Sequence, residues 1–242
     1  MYIDKKIIYI ILAIFAAYSI IGLLSNPMAL LALLYSIPGV LIAITFHEYA
    51  HAFAADKLGD DTPRLQGRLS LNPLAHLDPI GSLMLLFAGF GWGKPVQINP
   101  RNFNRTISMS KGEAIVSAAG PIMNFILAII FCVIYFVIYK FAGAFAVTQV
   151  GNIVLTIIML TVNINIGLGI FNLIPVPPLD GSKILKNFLP YKARAWMESN
   201  EYLFYIIFLV LWIFGILGDI ISPLINVVSN LLISGIGSLF GF

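Results

Sequence analysis

The sequence has little cysteine and little charge. Cys132 is the single cysteine among 242 residues, so the chain has neither a disulfide framework nor a cysteine-based metal site. Only 10% of the residues are charged, whereas 60% are hydrophobic, and the mean hydropathy is +0.95. This balance excludes a soluble globular domain of this size and is typical of a polytopic membrane protein. The lack of a clear internal repeat argues against an inverted-repeat transporter.

Long apolar runs predict where the chain crosses the membrane. The first run, residues 7–24, is interpreted as a transmembrane helix, because it is too long for a signal-peptide core and no clear small-x-small cleavage site follows it. Further segments are expected at residues 28–46, 112–142, 150–173 and 202–217. A break at Asp219 and Pro223 precedes a final stretch, 224–242, which either spans the membrane or lies at its interface. The expected fold is a single all-α polytopic membrane domain, residues 1–242, with about five to six transmembrane helices.

A polar stretch rich in glycine and proline, residues 60–111, separates the second and third segments. Its middle part, Ile80 to Phe90, is apolar but too short to span, which predicts a re-entrant or interfacial segment. The following GFGWGKPVQIN has the glycine spacing of a turn that leads into an extended segment from Pro95 to Ile98. We expect a short membrane-associated hairpin in this part of the chain.

Residues 47–51 form the sequence HEYAH, which contains two of the three histidines of the chain. Side chains four positions apart lie on the same face of a helix, so His47 and His51 can bind a single metal ion. An H-E-x-x-H helix is the usual zinc-binding element of metalloproteases, with the glutamate, here Glu48, as the general base. The motif directly follows the second apolar run, and the helix is predicted to continue to Gly59. Ionisable residues at such a position are costly, which argues against two merely structural histidines.

A catalytic zinc requires a third protein ligand and one open position. The candidates are a carboxylate or His76. If the segments alternate, the second and the fourth end at the same face of the membrane, which favours Asp180 in the sequence FNLIPVPPLDG. The prolines of this sequence predict an extended strand that carries Asp180. Two alternatives stay open, because Asp180 could instead cap a helix that starts at Ser182, and His76 suits a hydrogen-bonding role in its loop.

The resulting hypothesis is peptide hydrolysis in which Glu48 takes the proton of a zinc-activated water. The carbonyl groups of a transmembrane helix are held in its own hydrogen bonds, so a substrate helix must unwind locally before attack. The extended segment could bind the unwound substrate by strand addition. The residues expected to take part are Gly91, Gly93, Pro95, Val96 and Gln97. Asn124 or Asn172 could orient a ligand or stabilise the developing oxyanion.

The lysines and arginines indicate how the chain is oriented in the membrane. Thirteen of the fourteen fall on one side if the segments alternate, and only Lys140 falls on the other. The N-terminus, the stretch 60–111, the HEYAH sequence and Asp180 are therefore expected on the cytoplasmic side.

Two other functions are compatible with a His/Asp cluster in a membrane protein. A metal-ion transporter would have ligands at several depths and on both faces, whereas the candidates here gather at one side. A catalytically inactive scaffold for other membrane helices would have no need of Glu48, which is intact.

Five motifs, in this order, carry a resemblance to a known family: HEYAH, LNPLAHLDPIG, GFGWGKPVQINP, AGPIMN and FNLIPVPPLDG. Over about Thr45 to Leu185 the chain resembles the site-2 protease family of intramembrane zinc metalloproteases. The resemblance implies one Zn²⁺ ion, its three ligands and a catalytic base, which are His47, His51 and Asp180, and Glu48. It also implies that Asn124 and Asn172 lie near the active site. The implied activity is cleavage of membrane-anchored proteins within or near their transmembrane helices.

The same resemblance implies the organisation and the partners of the chain. The glycine-rich segment from Gly89 to Pro95 is expected to be membrane-associated β structure. The catalytic core would cover about residues 28–185, with an extra N-terminal helix in 7–24 and C-terminal helices in 202–242. The expected partners are membrane-anchored protein substrates and the lipid bilayer, not nucleic acid. Since the loops leave no room for a PDZ-type domain and the chain ends on an apolar segment, we expect a compact prokaryotic form in the cell membrane.

Overall fold

The structure is a computed structural model that describes residues 25–78 and 93–242, together with single positions 14, 17, 21, 22 and 81. The expectations for a transmembrane helix at 7–24 and for a re-entrant segment from Ile80 to Phe90 therefore lie outside the described residues, apart from those single positions.

Helices make up most of the described chain. The longer ones are α1 (Pro27–Lys57), α2 (Met109–Phe141), α3 (Gln149–Asn172), α4 (Asp180–Phe188), α5 (Tyr191–Ser199), α6 (Glu201–Ile213) and α7 (Ile216–Phe240). Single-turn α-helices lie at Thr62–Leu65 and Gly143–Ala146, and 3-10 turns at Pro73–Ala75 and Pro100–Asn102. The described residues contain no strand, only an isolated antiparallel bridge between Leu77 and Gly93. The prediction of an all-α protein is thus confirmed for these residues, while the hairpin stays a prediction.

Four of these helices, α1, α2, α3 and α7, are long and apolar enough to cross a membrane. Helix α6 has 13 residues. At a rise of about 1.5 Å per residue it is too short for a hydrocarbon core about 30 Å thick. The expected count of five to six spans stays a prediction, because the first segment lies outside the described residues.

Helix α1 carries the HEYAH sequence, and its ends follow from local chemistry. The Asn26 side chain accepts hydrogen bonds from the backbone of Met28 and Ala29, and Pro27 occupies the first helical position. The helix ends before Gly59, whose φ of 102° is natural only for glycine. In the middle, a Cβ on Gly39 would lie 2.9 Å from the Thr161 hydroxyl of α3. The absence of that atom lets α1 and α3 approach closely, as small residues do between membrane helices.

The core lies among α2, α3 and the C-terminal helices. Cys132 of α2 and Val162 and Ile166 of α3 are fully buried there. Helix α7 is tied to α3 by a hydrogen bond from the Ser229 hydroxyl to Asn163 Oδ1, at 3.0 Å. Buried bonds of this kind fix how membrane helices pack.

The predicted break at Asp219 and Pro223 is wrong. The interruption lies earlier, at Gly215, where φ is 74°, and both residues are inside α7. Asp219 falls in the first helical turn, where a carboxylate is favoured by the helix dipole. Proline is tolerated inside membrane helices, because neighbouring groups satisfy the freed carbonyl. Helix α7 continues to Phe240, whose carbonyl accepts a hydrogen bond from Lys140 at the end of α2.

The expected extended strand before Asp180 is also wrong. Successive turns connect α3 to α4, with backbone hydrogen bonds from Ile174 to Phe171 and from Leu179 to Val176. A Cβ on Gly181 would collide with the carbonyl oxygens of residues 173 and 174. Glycine at this position lets the first turn of α4 pack against the end of α3. Helix α4 begins at Asp180, so this residue lies in its first turn and not on a strand.

Candidate metal centre and active-site cleft

The end of α1 and the start of α4 bring three side chains that could hold a metal ion to one point. His47 Nε2 and His51 Nε2 are 3.0 Å apart, and Asp180 Oδ2 lies 3.2 Å from the first and 3.1 Å from the second. All three residues are buried. They form the one group of at least three potential metal ligands found in the described part of the chain.

This geometry favours Asp180 over His76 as the third candidate ligand. Asp180 does not cap α4, because the N-cap is Leu179 and makes no side-chain capping bond. His76 does not join the group. Its Nε2 lies 2.6 Å from the carbonyl of Ser70, and its own carbonyl accepts a hydrogen bond from Lys94. His76 therefore organises the loop, as the sequence favours.

The partners of the two imidazole rings indicate which nitrogens face the site. His51 Nδ1 lies 2.7 Å from the carbonyl of Val116, which can only accept, so this nitrogen carries a hydrogen. His47 Nδ1 lies 2.6 Å from Oδ1 of Asn124 and donates in the same way. Both Nε2 atoms then present lone pairs, and so does the carboxylate of Asp180. Three acceptors at 3.0 to 3.2 Å with no hydrogen between them repel unless a cation lies among them. Two imidazoles and one carboxylate are a donor set that suits Zn²⁺.

Helix α2 supports the histidines with a row of residues one helical turn apart. Val116 and Asn124 are the partners of His51 and His47, and Gly120 lies between them. A Cβ on Gly120 would lie 2.5 Å from His51 Nε2 and 2.6 Å from His47 Cε1. The two rings therefore pack directly on the backbone of α2. Sequence reasoning missed Gly120, although it lies inside the AGPIMN motif.

Glu48 lies beside the metal group and faces the segment that follows Gly93. The backbone N–H of Val96 donates to Glu48 Oε2 at 3.3 Å. A Cβ on Gly93 would lie 3.3 Å from Glu48 Oε1, so glycine allows this close approach. The Glu48 carboxylate, the metal group and the segment share one cleft of about 400 Å³. Other residues that line it are Ile44, Pro95, Ile98, Leu168, Phe171, Asn172, Lys183 and Tyr205.

The remaining predicted residues differ in how they relate to the cleft. Pro95 lines it, whereas the Gln97 amide oxygen accepts a hydrogen bond from Gln66, and Gly91 lies outside the described residues. Asn124 is fully buried against His47, and Asn172 lines the cleft while its amide donates to Leu168 O at 3.0 Å.

Asp60 is a further residue that sequence reasoning missed, and it fixes the segment next to Glu48. It is fully buried just after the end of α1. Its carboxylate accepts hydrogen bonds from both the backbone and the hydroxyl of Thr62, from the backbone of Asn99 at 2.6 Å, and from the amide of Asn102. Desolvation by burial raises the pKa of the Asp60 carboxyl, but these hydrogen bonds outweigh it and hold the pKa below its usual value.

Replacing Asp60 by Asn is expected to lower the free energy of unfolding by about 1–3 kcal/mol, because the amide cannot accept all of these hydrogen bonds. The pKa of Asp60 is lower in the folded state, so its stabilisation is present above its ordinary pKa of 3.8 and is lost as the pH falls through the folded value. Denaturation of the purified protein at several pH values measures both effects. Asp61→Asn is the matched control, since Asp61 is exposed and makes no side-chain capping bond. Equal stability of the two variants would contradict the role of Asp60.

The helical membrane fold and a His-His-Asp group beside a glutamate define the class of a membrane metalloprotease. Comparisons with known proteins agree, since residues 138–214, which include Asp180, match the model of Peptidase family M50. The chain is 36% identical over 192 residues to "Putative zinc metalloprotease YwhC" of Bacillus subtilis (strain 168), covering 79% of this chain and 86% of that protein. No solved structure is significantly similar to this chain.

Two mycobacterial relatives share the name "Putative zinc metalloprotease Rip2". The protein of Mycolicibacterium smegmatis is 32% identical over 180 residues, covering 72% of this chain and 65% of that protein. The protein of Mycobacterium tuberculosis (strain H37Rv) is 31% identical over 192 residues, covering 74% of this chain and 70% of that protein. The chain therefore belongs to peptidase family M50, the site-2 protease family, and the resemblance found in its motifs is confirmed. It is an integral membrane zinc metalloprotease.

Proposed function

We propose that this protein hydrolyses peptide bonds within or near the transmembrane segments of membrane-anchored proteins. In this proposal His47, His51 and Asp180 bind one Zn²⁺ ion, and Glu48 is the general base. The observation that carries it is the convergence of three lone-pair atoms, within 3.2 Å of one another, in a cleft shared with Glu48. The cleft lies at the end of helices long enough to cross a membrane, which suggests a membrane-embedded substrate.

Bound zinc supplies a Lewis acid that makes water acidic near neutral pH and polarises a carbonyl group. Glu48 accepts the proton of the attacking water as the oxygen bonds to the carbonyl carbon of the substrate. The same carboxylate then gives that proton to the amide nitrogen as the C–N bond breaks. Among the described residues, the hydrogen-bond donor to Glu48 is the Val96 N–H at 3.3 Å, so the carboxylate keeps lone pairs that can accept a proton. Asn172, which lines the cleft, is a candidate for stabilising the oxyanion.

The segment from Pro95 to Ile98 is proposed to bind the unwound substrate by strand addition. The backbone N–H groups of Gln97 and Ile98 have no hydrogen-bond partner among the described residues. An extended chain with free backbone groups can pair with a second extended chain. Asp60 and His76 hold the two ends of this segment through Asn99 and Lys94, which keeps it in place beside Glu48.

We also propose that the active-site end of the helices faces the cytoplasm of a prokaryotic cell. Lys57 and Lys111 lie at the ends of α1 and α2 that are near the cleft, and Lys140 lies at the opposite end of α2. An excess of positive residues marks the cytoplasmic side of a membrane protein. Protease accessibility of tags at either end of the described helices would test this orientation.

Removing the metal is the direct test of the activity. The purified protein is reconstituted in lipid vesicles with a membrane-anchored test substrate, and cleavage is followed with and without a zinc chelator. Cleavage is expected to disappear with the chelator and to return when Zn²⁺ is added back, because zinc held by His47, His51 and Asp180 would supply the acidic water whose proton Glu48 accepts. A zinc-sensitive dye inside the vesicles tests the transporter alternative in the same preparation. Zinc flux without cleavage, or cleavage that resists metal removal, would contradict the proposed function.

A further inference from the structure

Asn165 of α3 is linked to the metal group through Asn124 and makes no direct hydrogen bond to either imidazole. It is fully buried, and so is Asn124 of α2, to which it is bonded. Asn124 Nδ2 donates to Asn165 Oδ1 at 3.0 Å and also lies 3.2 Å from the carbonyl of Ala43. Asn165 Nδ2 in turn donates to the carbonyl of Thr161 at 2.8 Å. A chain of hydrogen bonds therefore runs from the backbone of α3 through two amides to His47.

The direction of every bond in this chain follows from its backbone end. A carbonyl oxygen can only accept, so the NH₂ group of Asn165 must face Thr161 and its oxygen must face Asn124. Asn124 must then present its NH₂ group to Asn165, as the carbonyl of Ala43 also requires. The remaining atom of Asn124, its oxygen, faces His47 Nδ1 at 2.6 Å.

This direction decides what His47 presents to the metal group. An acceptor at Nδ1 holds the hydrogen there, so that Nε2 presents a lone pair toward His51 and Asp180. If the Asn124 amide were reversed, its NH₂ group would face Nδ1 and favour a hydrogen on Nε2. That tautomer cannot bind a metal through Nε2. Either arrangement of Asn124 fills the same space, so only its hydrogen-bond partners distinguish them.

We propose that Asn165 is a positioning residue of the metal site, which holds the Asn124 amide in the direction that gives His47 a metal-binding Nε2. The proposal rests on the proposed role of His47 as a ligand. The carbonyl of Ala43 supports the same direction, but it belongs to α1, which also carries His47. Asn165 supplies the constraint from a different helix, and so couples the packing of α3 to the metal site.

The test measures metal affinity rather than cleavage. Apo protein is titrated with Zn²⁺ against a competing chelator, and with Co²⁺ while its visible absorption spectrum is recorded. Asn165→Leu removes both hydrogen bonds at nearly constant volume, and we expect the affinity to fall about ten- to a hundredfold with an altered Co²⁺ spectrum. Asn165→Asp with a protonated carboxyl can still donate to the Thr161 carbonyl and keep an acceptor oxygen toward Asn124, so it is expected to retain most of the affinity at a pH that keeps this buried group neutral. In a protein that already carries Asn124→Leu, adding Asn165→Leu is expected to cause no further loss.

Asn163→Leu is the matched control. It removes an asparagine two positions away on the same helix, together with its interhelical hydrogen bond from Ser229, but Asn163 has no bond to Asn124. If Asn163→Leu loses as much affinity as Asn165→Leu, or if Asn165→Leu binds metal as tightly as the wild type, the inference is overturned. His47→Ala distinguishes this from a failure of the proposed function, since unchanged affinity in that variant would mean that His47 is not a ligand at all.

Discussion

Replacing Glu48 by Gln is expected to reduce the rate of cleavage by a factor of about 10²–10⁴ and to leave the zinc content nearly unchanged. Glutamine has the shape of glutamate and can still accept the hydrogen bond from Val96 N–H, but it cannot take a proton from water. Glu48 is not a member of the group formed by His47, His51 and Asp180, so the proposed metal ligands stay intact. The measurements are the initial rate of cleavage in lipid vesicles and the zinc content of the purified variant. Crosslinking with this variant should also capture uncleaved substrate.

Glu198→Gln is the control for this experiment, because Glu198 is exposed on α5 and is not among the residues that line the cleft. It is expected to cleave as the wild type does. Undiminished proteolysis by Glu48→Gln would remove Glu48 from its assigned role. A loss of zinc in that variant would instead indicate that Glu48 contributes to metal binding.

Replacing Gly120 by Ala is expected to lower zinc affinity by at least about a hundredfold and to abolish cleavage with it. The added methyl group would lie 2.5 Å from His51 Nε2 and 2.6 Å from His47 Cε1, which is closer than side-chain contacts allow. The rings cannot simply move aside, because their Nδ1 atoms are bonded to Val116 and Asn124 of the same helix. Any movement that relieves the clash therefore breaks the hydrogen bonds that orient the ligands. Competition with a chromophoric chelator measures the affinity.

Gly167→Ala is the matched change, a methyl group added to another membrane helix. A Cβ at Gly167 would meet Ile225 at 3.5 Å, an ordinary contact, so metal affinity is expected to be unchanged. The fold of both variants is compared by circular dichroism and by size-exclusion chromatography. If Gly120→Ala binds zinc as the wild type does, the rings do not pack on α2 in the way that the structure describes.

Local patterns of the sequence sufficed for the elements of the site that lie within one helix. The apolar runs predict α1, α2 and α3 to within a few residues, because a helix inside a membrane must be apolar over its whole length. The spacing of His47 and His51 places both on one face of α1 whatever the rest of the chain does. The glutamate between them follows from the same motif.

Boundaries outside the long helices were less well predicted, for physical reasons. Asp219 and Pro223 are typical helix breakers, but one lies in a first turn and the other is tolerated within a membrane helix, so the break falls at Gly215. The prolines before Asp180 fix φ at each position without fixing ψ, and the chain uses them in successive turns instead of a strand.

The sequence by itself determined the helical membrane fold, the HEYAH helix and, through the alternation of the segments, Asp180 as a candidate ligand. Only the tertiary structure decided that Asp180 faces the histidines and does not cap its helix, and that Gly120 and Asn165 support them. The bond from His47 to Asn124 joins residues 77 positions apart, and that from Asn124 to Asn165 joins residues 41 apart. Such bonds depend on how three helices pack and rotate against one another, and no local period of the sequence records that rotation.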